Sequence, residues 1–322
     1  MKKVYCIGEL LIDFVSNNGE EYSKKPGGAP ANVAVAISKL GGKAYFLGQV
    51  GKDNFGKYLE EVLIDNNVDT KYLKKEGRTT LAMVSLDKSG ERNFDFYRGG
   101  DGEYEVDIND LSIDSDTIVH FGSATAFLPG NLRNTYYKVL EDAKNKKATI
   151  TFDPNYREVL ITDDIMKQYK DDCWNFMREA EFIKISDEEA KLLTETDNIE
   201  LAVKSLINSK LNAIAITLGK EGTMIIKDGK AIVIGSIKIK QKDSTGAGDA
   251  FVGAVLSQLS KIDNKNDVSF DIWKKIIEFA NKVGAITCTN YGAITSIPTM
   301  EEVESYIAVS YTHLRAHETA AN

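Results

Sequence analysis

Between Lys242 and Phe251 the chain reads Lys-Asp-Ser-Thr-Gly-Ala-Gly-Asp-Ala-Phe, and no other stretch limits the fold as strongly. Gly246 and Gly248 flank Ala247, so no large side chain blocks approach to the backbone. Phe251, Ala254, Val255 and Leu259 then recur at helical spacing with little polar interruption, the pattern of a buried helix. A small-residue turn opening such a helix aims free N–H groups and the positive end of a dipole at one point. That is an anion site, most naturally for phosphate. Asp249, in the first turn, is badly placed to hold an anion but well placed to deprotonate a hydroxyl that attacks one. The stretch therefore reads as a phosphoryl-transfer centre. A plainer reading stays open, since Asp caps helices and Gly is common in turns. The chain has neither a P-loop signature nor Gly-x-Gly-x-x-Gly, so a kinase built on it is not a P-loop enzyme.

Composition narrows the classes further. With 322 residues, 43% hydrophobic and 27% charged, the chain can bury a substantial core, as one large α/β domain with an appendage or as two domains. A net charge of −8 argues against nucleic acid or an anionic membrane as partner. Cys6, Cys173 and Cys288 have neither disulfide nor metal-ligand spacing. Met1-Lys2-Lys3 runs directly into a strand-like segment, so no signal peptide is expected. No apolar run approaches the roughly 20 residues that span a bilayer. A cytoplasmic location is the expectation.

Along the chain, strand and helix patterns alternate. Val4 to Gly8 reads as a buried strand, followed by Glu9 to Phe14, where Asp13 is a carboxylate just past a buried strand, the place where α/β folds bind ligands. Gly27 and Gly28 permit close ligand approach ahead of a helix that carries Asn32 one turn in. Residues 81–87 and 92–97 flank Lys88-Ser89-Gly90 as a hairpin, which suggests a small sheet projecting from the main domain as a lid. Arg98 follows it. Strands at 117–121, 148–152, 182–185 and 212–217 each end in polar residues, the edge where parallel sheets bind ligands. His120 reads as a core or edge histidine, and Trp174 and Trp273 as helix-packing residues. A last helix runs from about Ile272 to Thr287. Beyond Ile307 the periodicity stops, and 308–322 reads as an appended or artefactual tail.

Taken together, the early Gly27-Gly28 and Asn32, the central Asp153-Pro154-Asn155-Tyr156-Arg157 and the late Asp243 to Asp249 resemble the PfkB, or ribokinase-like, family of sugar kinases, over about residues 3 to 307. The resemblance implies a three-layer α/β/α sandwich, an α/β fold with a mostly parallel central sheet and a small β lid from about 11–25 and 79–102. It makes Asp249 the catalytic base, with Gly246, Ala247 and Gly248 forming the anion hole. Asp13, Gly27, Gly28 and Asn32 would contact sugar hydroxyls, and Arg98 and Arg157 would face the substrate or the transferring phosphate. Lys184, Thr217, Gly219, Gly222 and Asn281 match nucleotide-side positions for ATP, Asn281 at the adenine edge. Glu189 matches the acidic residue of the family's Asn-x-x-Glu motif, which helps hold Mg2+ through water, although Ser186 replaces the Asn. Asp243, Thr245, Thr287, Asn290, Gly292 and Ser296 align with a K+-binding loop.

Within the family, Gly8 to Phe14, Phe96-Tyr97-Arg98 and His120 to Ala124 look most like bacterial fructokinases. Ketodeoxygluconate kinase is the next candidate, then ribokinase and aminoimidazole riboside kinase. The implied activity is ATP-dependent phosphorylation of the 6-hydroxyl of D-fructose. Against it stand a nucleoside kinase and a catalytically silent sugar or nucleotide sensor on the same scaffold. The resemblance leaves oligomeric state open, and pairing of two copies through the hairpin sheet is the arrangement to test.

Overall fold

The computed structural model describes residues 1–16, 20–86, 92–264 and 268–306. The expected hairpin turn at 88–90 and the tail at 308–322 lie outside them.

The N-terminal strand sets the plan. β1 (Lys3–Ile7) is almost wholly buried, so both of its faces must be covered. Val4 and Cys6 face one hydrophobic core, and Tyr5 and Ile7 face the other. The period-2 geometry of a strand forces this division. The remaining strands are β2 (Leu11–Ser16), β3 (Ser23–Gly27), β4 (Lys43–Val50), β5 (Asp69–Lys75), β6 (Leu81–Leu86), β7 (Arg92–Tyr97), β8 (Thr117–Phe121), β9 (Thr149–Phe152), β10 (Phe182–Ser186), β11 (Ala213–Thr217), β12 (Thr223–Lys227) and β13 (Lys230–Ile234). Nine of them form one sheet, in the order β13-β12-β11-β10-β9-β8-β1-β4-β5. It is parallel from β5 to β11 and antiparallel at the β12–β13 edge. Asp228 and Gly229, both at positive φ, close that edge hairpin in the backbone twist that two-residue turns prefer.

Helices cover both faces. α1 (Ala29–Lys39), α2 (Asn54–Asp65), α7 (Ala247–Leu259) and α8 (Phe270–Thr287) contribute to the core that contains Val4. α3 (Asn131–Asn145), α4 (Asp163–Glu179), α5 (Asp187–Thr194) and α6 (Ile199–Asn208) contribute to the core that contains Tyr5. The α/β/α layering follows. β2, β3, β6 and β7 form a separate four-stranded sheet, ordered β3-β2-β6-β7, in which β2 and β6 run parallel. β6 and β7 are the antiparallel pair expected from the sequence. Trp273 stacks on Phe182 at 5.2 Å, and the Trp174 indole donates to the Leu193 carbonyl, both packing roles. Among the described residues, no helix is long and apolar enough to cross a membrane.

α7 is buried from Asp249 through Ser257 and again at Leu259, so it can exist only wedged between neighbours. It comes close to α1, where a Cβ on Gly253 would lie 2.3 Å from the Ala36 Cβ and 3.0 Å from the Val33 carbonyl oxygen. Gly253→Val should force the two helices apart and lower the urea-unfolding free energy by about 1–3 kcal/mol, as overpacking does. An unchanged urea midpoint would show that the contact can open without cost.

Candidate active site

The first turn of α7 begins at Gly246, which adopts φ 76 and lies so close to Ala293 that a Cβ there would sit 2.7 Å from the Ala293 Cβ. Only glycine meets both demands. The Ala247 N–H is committed to the Ser244 carbonyl at 3.1 Å, which narrows the expected anion hole. The N–H groups of Gly248 and Asp249 bond to no described residue and remain as its donors. A Cβ on Gly248 would stand 3.5 Å from the Lys184 Nζ, so a buried ammonium lies directly beside this turn.

Asp249 is 8% exposed, and its Oδ2 accepts from the Asn32 Nδ2 at 2.8 Å. Burial raises its pKa, while the Asn32 hydrogen bond, the Arg157 and Lys184 charges and the Asn155 amide pull the other way. The Asn32 Oδ1 is buried without a partner, an acceptor beside the Asp249 carboxylate that a hydroxyl group would satisfy.

Lys184, on β10, pairs with Asp153 at 3.1 Å. Desolvation raises Asp153 to about 7, against the opposing charge of Lys184. Lys184 is itself held protonated by Asp153 and Glu189 in spite of its burial. Asn155, at φ 46, donates through Nδ2 to the Gly122 carbonyl at 2.9 Å, and its Oδ1 accepts from Arg157 at 3.0 Å. Asp153 and Asn155 belong to the central motif, yet the sequence reading gave neither a role. The signal was available, since a carboxylate follows a buried strand and an Asn follows Pro154, where left-handed backbone is tolerated. Asp13, on β2, is raised to about 6 by burial, with the charge of Arg157 opposing. A Cβ on Gly27 would lie 2.1 Å from the Asp13 Oδ2, and one on Gly28 would lie 2.4 Å from the Glu9 carbonyl oxygen. The structure thus brings Asp13, Gly27, Gly28, Asn32, Arg157, Lys184 and Asp249 to the carboxyl edge of the sheet.

Other expected residues have protein contacts of their own. The Arg98 guanidinium donates to the Pro129 and Thr125 carbonyls and lies 3.5 Å from Asp101, while its Nε has no hydrogen-bond partner. It is an anchor of the β7 exit as it stands. Asn281 accepts from the Thr223 hydroxyl at 2.7 Å and donates to the Ile234 and Gly235 carbonyls, so its amide ties α8 to the β12–β13 hairpin. Gly222 lets the chain pass the Ile234 carbonyl, where a Cβ would stand 2.1 Å away, while Gly219, at φ 57, has open space around its Cβ position. Thr217 ends β11, with its hydroxyl 3.4 Å from the Ile185 carbonyl. Both Glu189 oxygens accept backbone N–H groups, from Tyr156 and Ser186, and Ser186 returns the bond as a capping box. Replacing the expected Asn by Ser thus turns Glu189 into a helix-start buttress. His120 is buried, with Nδ1 3.0 Å from the Thr151 hydroxyl and Nε2 unpartnered, and desolvation lowers its pKa to about 3.

Some residues of the expected potassium loop are hydrogen-bonded to one another. Asp243 accepts from Thr245 at 2.7 and 3.0 Å and from the Gly292 N–H at 2.9 Å. Thr287 bonds back to Val283, the Asn290 N–H reaches the Thr287 carbonyl at 3.5 Å, and the Ser296 hydroxyl is buried without a partner. Such an orphaned oxygen fits a cation ligand. Among the described residues, no group of three or more His, Cys, Asp or Glu side chains is arranged to hold a metal ion.

Comparison with known proteins agrees with this geometry. A family model described as pfkB family carbohydrate kinase matches residues 1–300. Fructokinase-1 of Zea mays is 36% identical over 316 residues, covering 93% of this chain and 96% of that protein. A double mutant of fructokinase from Vibrio cholerae O395, solved with fructose, ADP and potassium ion bound, superposes with a TM-score of 0.84 at 29% identity, covering 95% of this chain and 98% of that one. Aminoimidazole riboside kinase from Salmonella enterica, complexed with aminoimidazole riboside and an ATP analog, gives 0.82 at 26% identity, over 94% and 99%. The layered fold is that of a carbohydrate kinase. The chain belongs to the pfkB family.

Glu9 was not expected among the site residues, yet it sets the start of α1. Its Oε1 accepts the Ala29 N–H at 3.0 Å and its Oε2 accepts from the Ser123 hydroxyl. Burial raises its pKa from 4.5 to about 7. A carboxyl group raised on folding contributes its full stability below the unfolded pKa and loses it as pH rises through the folded value. Glu9→Gln, fixed in the neutral form, should therefore flatten the decline of melting temperature between about pH 4.5 and 7, a contribution of about 3 kcal/mol at most. Melting curves across that range that parallel the wild type would count against a protonation change at Glu9.

Proposed function

We propose that this chain is a fructokinase that transfers the γ-phosphate of ATP to the 6-hydroxyl of D-fructose. One observation carries the reading: a buried, hydrogen-bonded carboxylate stands in the same helical turn as unpaired N–H donors, beside an unsatisfied amide oxygen. Asp249 takes the hydroxyl proton as the sugar oxygen attacks phosphorus. The Gly248 and Asp249 N–H groups, with Lys184 beneath them, stabilise charge on the transferring group. Asn32 holds the base and offers Oδ1 to a sugar hydroxyl. Asp13 and Arg157 line the sugar side, and the four-stranded sheet serves as the lid that excludes water. Arg98 supports that lid from its root. Fructose is favoured by the names of the relatives at 35–36% identity and by the fructose-bound Vibrio cholerae neighbour.

ATP binds on the side of Lys184, Thr217, Gly219 and Gly222. Each Glu189 oxygen accepts one backbone N–H and keeps a lone pair for a water of a magnesium ion carried by the nucleotide phosphates. Potassium fits the loop through Asp243, Ser296 and neighbouring carbonyls, where it supplies positive charge behind the start of α7. The protein acts in the cytoplasm. Its lid sheet leaves edges β3 and β7 free to pair with a second copy, for which light scattering should report twice the 35.6 kDa chain mass.

Asp249→Asn, correctly folded, should lower kcat by about 10² to 10⁴, which is about 3 to 5 kcal/mol of barrier. Retention of more than about a tenth of wild-type turnover would remove general-base catalysis from the mechanism. A coupled ADP-release assay across fructose, ketodeoxygluconate, ribose, aminoimidazole riboside and adenosine decides the substrate. The highest kcat/KM on any sugar but fructose would reassign it.

A further inference from the structure

Lys39 is the last residue of α1, and its half-buried ammonium donates to two backbone carbonyls, Ile294 at 3.1 Å and Ile297 at 2.9 Å. It lies seven residues beyond Asn32, about 10 Å along the same helix face. Between them, Val33 and Ala36 receive Gly253 of α7. The face therefore meets the phosphoryl-transfer apparatus at three levels. Asn32 holds the base, the middle seats α7, and Lys39 holds the segment 292–297. That segment is coupled to the anion cradle at two points: Gly292 donates to Asp243 at 2.9 Å, and Ala293 packs against Gly246. Ile294 and Ile297 are buried, so the carbonyls that Lys39 satisfies sit on a segment packed into the core.

We infer that Lys39 is a positioning residue for phosphoryl transfer, clamping residues 292–297 so that Ala293 fixes Gly246 and the N–H donors that follow it. Without the ammonium, two buried carbonyls lose their donor, the segment relaxes, and the Gly248 and Asp249 N–H groups lose their fixed aim. Small displacements of such donors fall mainly on the transition state, because charge on the transferring group develops there. Sugar contacts at the other end of α1 stay in place.

The inference rests on the kinase reading, and its test separates the two. In Lys39→Met, kcat should fall at least about tenfold while KM for fructose stays within about threefold, since misplacements near 1 Å cost up to about 10². Lys39→Arg, which can still donate to both carbonyls, should restore most of the loss. Hydrogen–deuterium exchange on the full chain without substrates should show residues 243–249 and 292–297 exchanging at least about fivefold faster in Lys39→Met, with β8 and β9 unchanged. If Lys39→Met does not fold, Lys39→Gln takes its place in every comparison. An unchanged kcat, or faster exchange confined to 292–297, overturns the inference. A wild-type chain inactive on every sugar strikes the kinase reading instead, and exchange alone then decides whether the clamp reaches Gly246.

Discussion

The structure depends on a hydrogen bond between helices far apart in sequence, from the Asn32 amide on α1 to the Asp249 carboxylate on α7. A carboxylate as buried as Asp249 is stable only if its lost hydration is replaced by donors and positive charge. Here the replacement comes from Asn32, Asn155, Arg157 and Lys184. Each of these has further demands of its own. Asn155 must take a left-handed backbone to reach its partners, and Lys184 must share its charge with Asp153. Burial raises the pKa of Asp249, and these partners oppose the shift, which is the balance a general base requires.

The same logic explains why helix packing and chemistry cannot be separated here. α7 is nearly apolar, so it carries its functional turn only because α1 and α8 bury the rest. Gly253 allows α1 within reach, and that closeness is what lets a short Asn side chain touch Asp249. A bulkier residue at either level would leave the base without its amide. Glu9 adds a constraint from below, since its carboxylate ties the first N–H of α1 to the Ser123 loop across the sheet. α1 is held at its start, middle and end, and its length sets the spacing between base and loop.

Much of this was legible in the chain itself. The glycine-rich opening of α7 declared itself because small residues, a carboxylate and a buried helix seldom coincide without a chemical reason. The three-layer arrangement came with the family resemblance, and the structure resolves it into two cores on either face of the large sheet. What escaped depended on register. Lys184 meets Asp153 because β9 and β10 are adjacent in the sheet, and nothing local to either residue shows that pairing. Asn281 matches a nucleotide-side pattern, and its amide also bonds Thr223 and the Ile234 carbonyl, which belong to a hairpin whose Asp-Gly turn was the overlooked signal. Ser186 reads as a lost amide in a motif, whereas in three dimensions it completes a cap with Glu189.

Arg98 leads to the part of the architecture that separates the two sheets. Thr80, just before β6, bonds to Asp101, just after β7, and Asp101 also accepts from Thr125 at 2.8 Å. Arg98 spans from Asp101 to the Thr125 and Pro129 carbonyls, and the Ser123 hydroxyl reaches Glu9 ahead of β2. The roots of β2, β6 and β7 are therefore gathered on one buried polar hub beside the 122–129 segment. A hub of this kind is costly to break, because each freed group would be left buried and unpaired. Any displacement of the four-stranded sheet would pivot on these shared roots and change the distance from Asp13, on β2, to Arg157, which lies outside that sheet. Asp13 and Asp249 thereby belong to different layers, joined through a hub in which the Arg98 Nε is left without a hydrogen-bond partner.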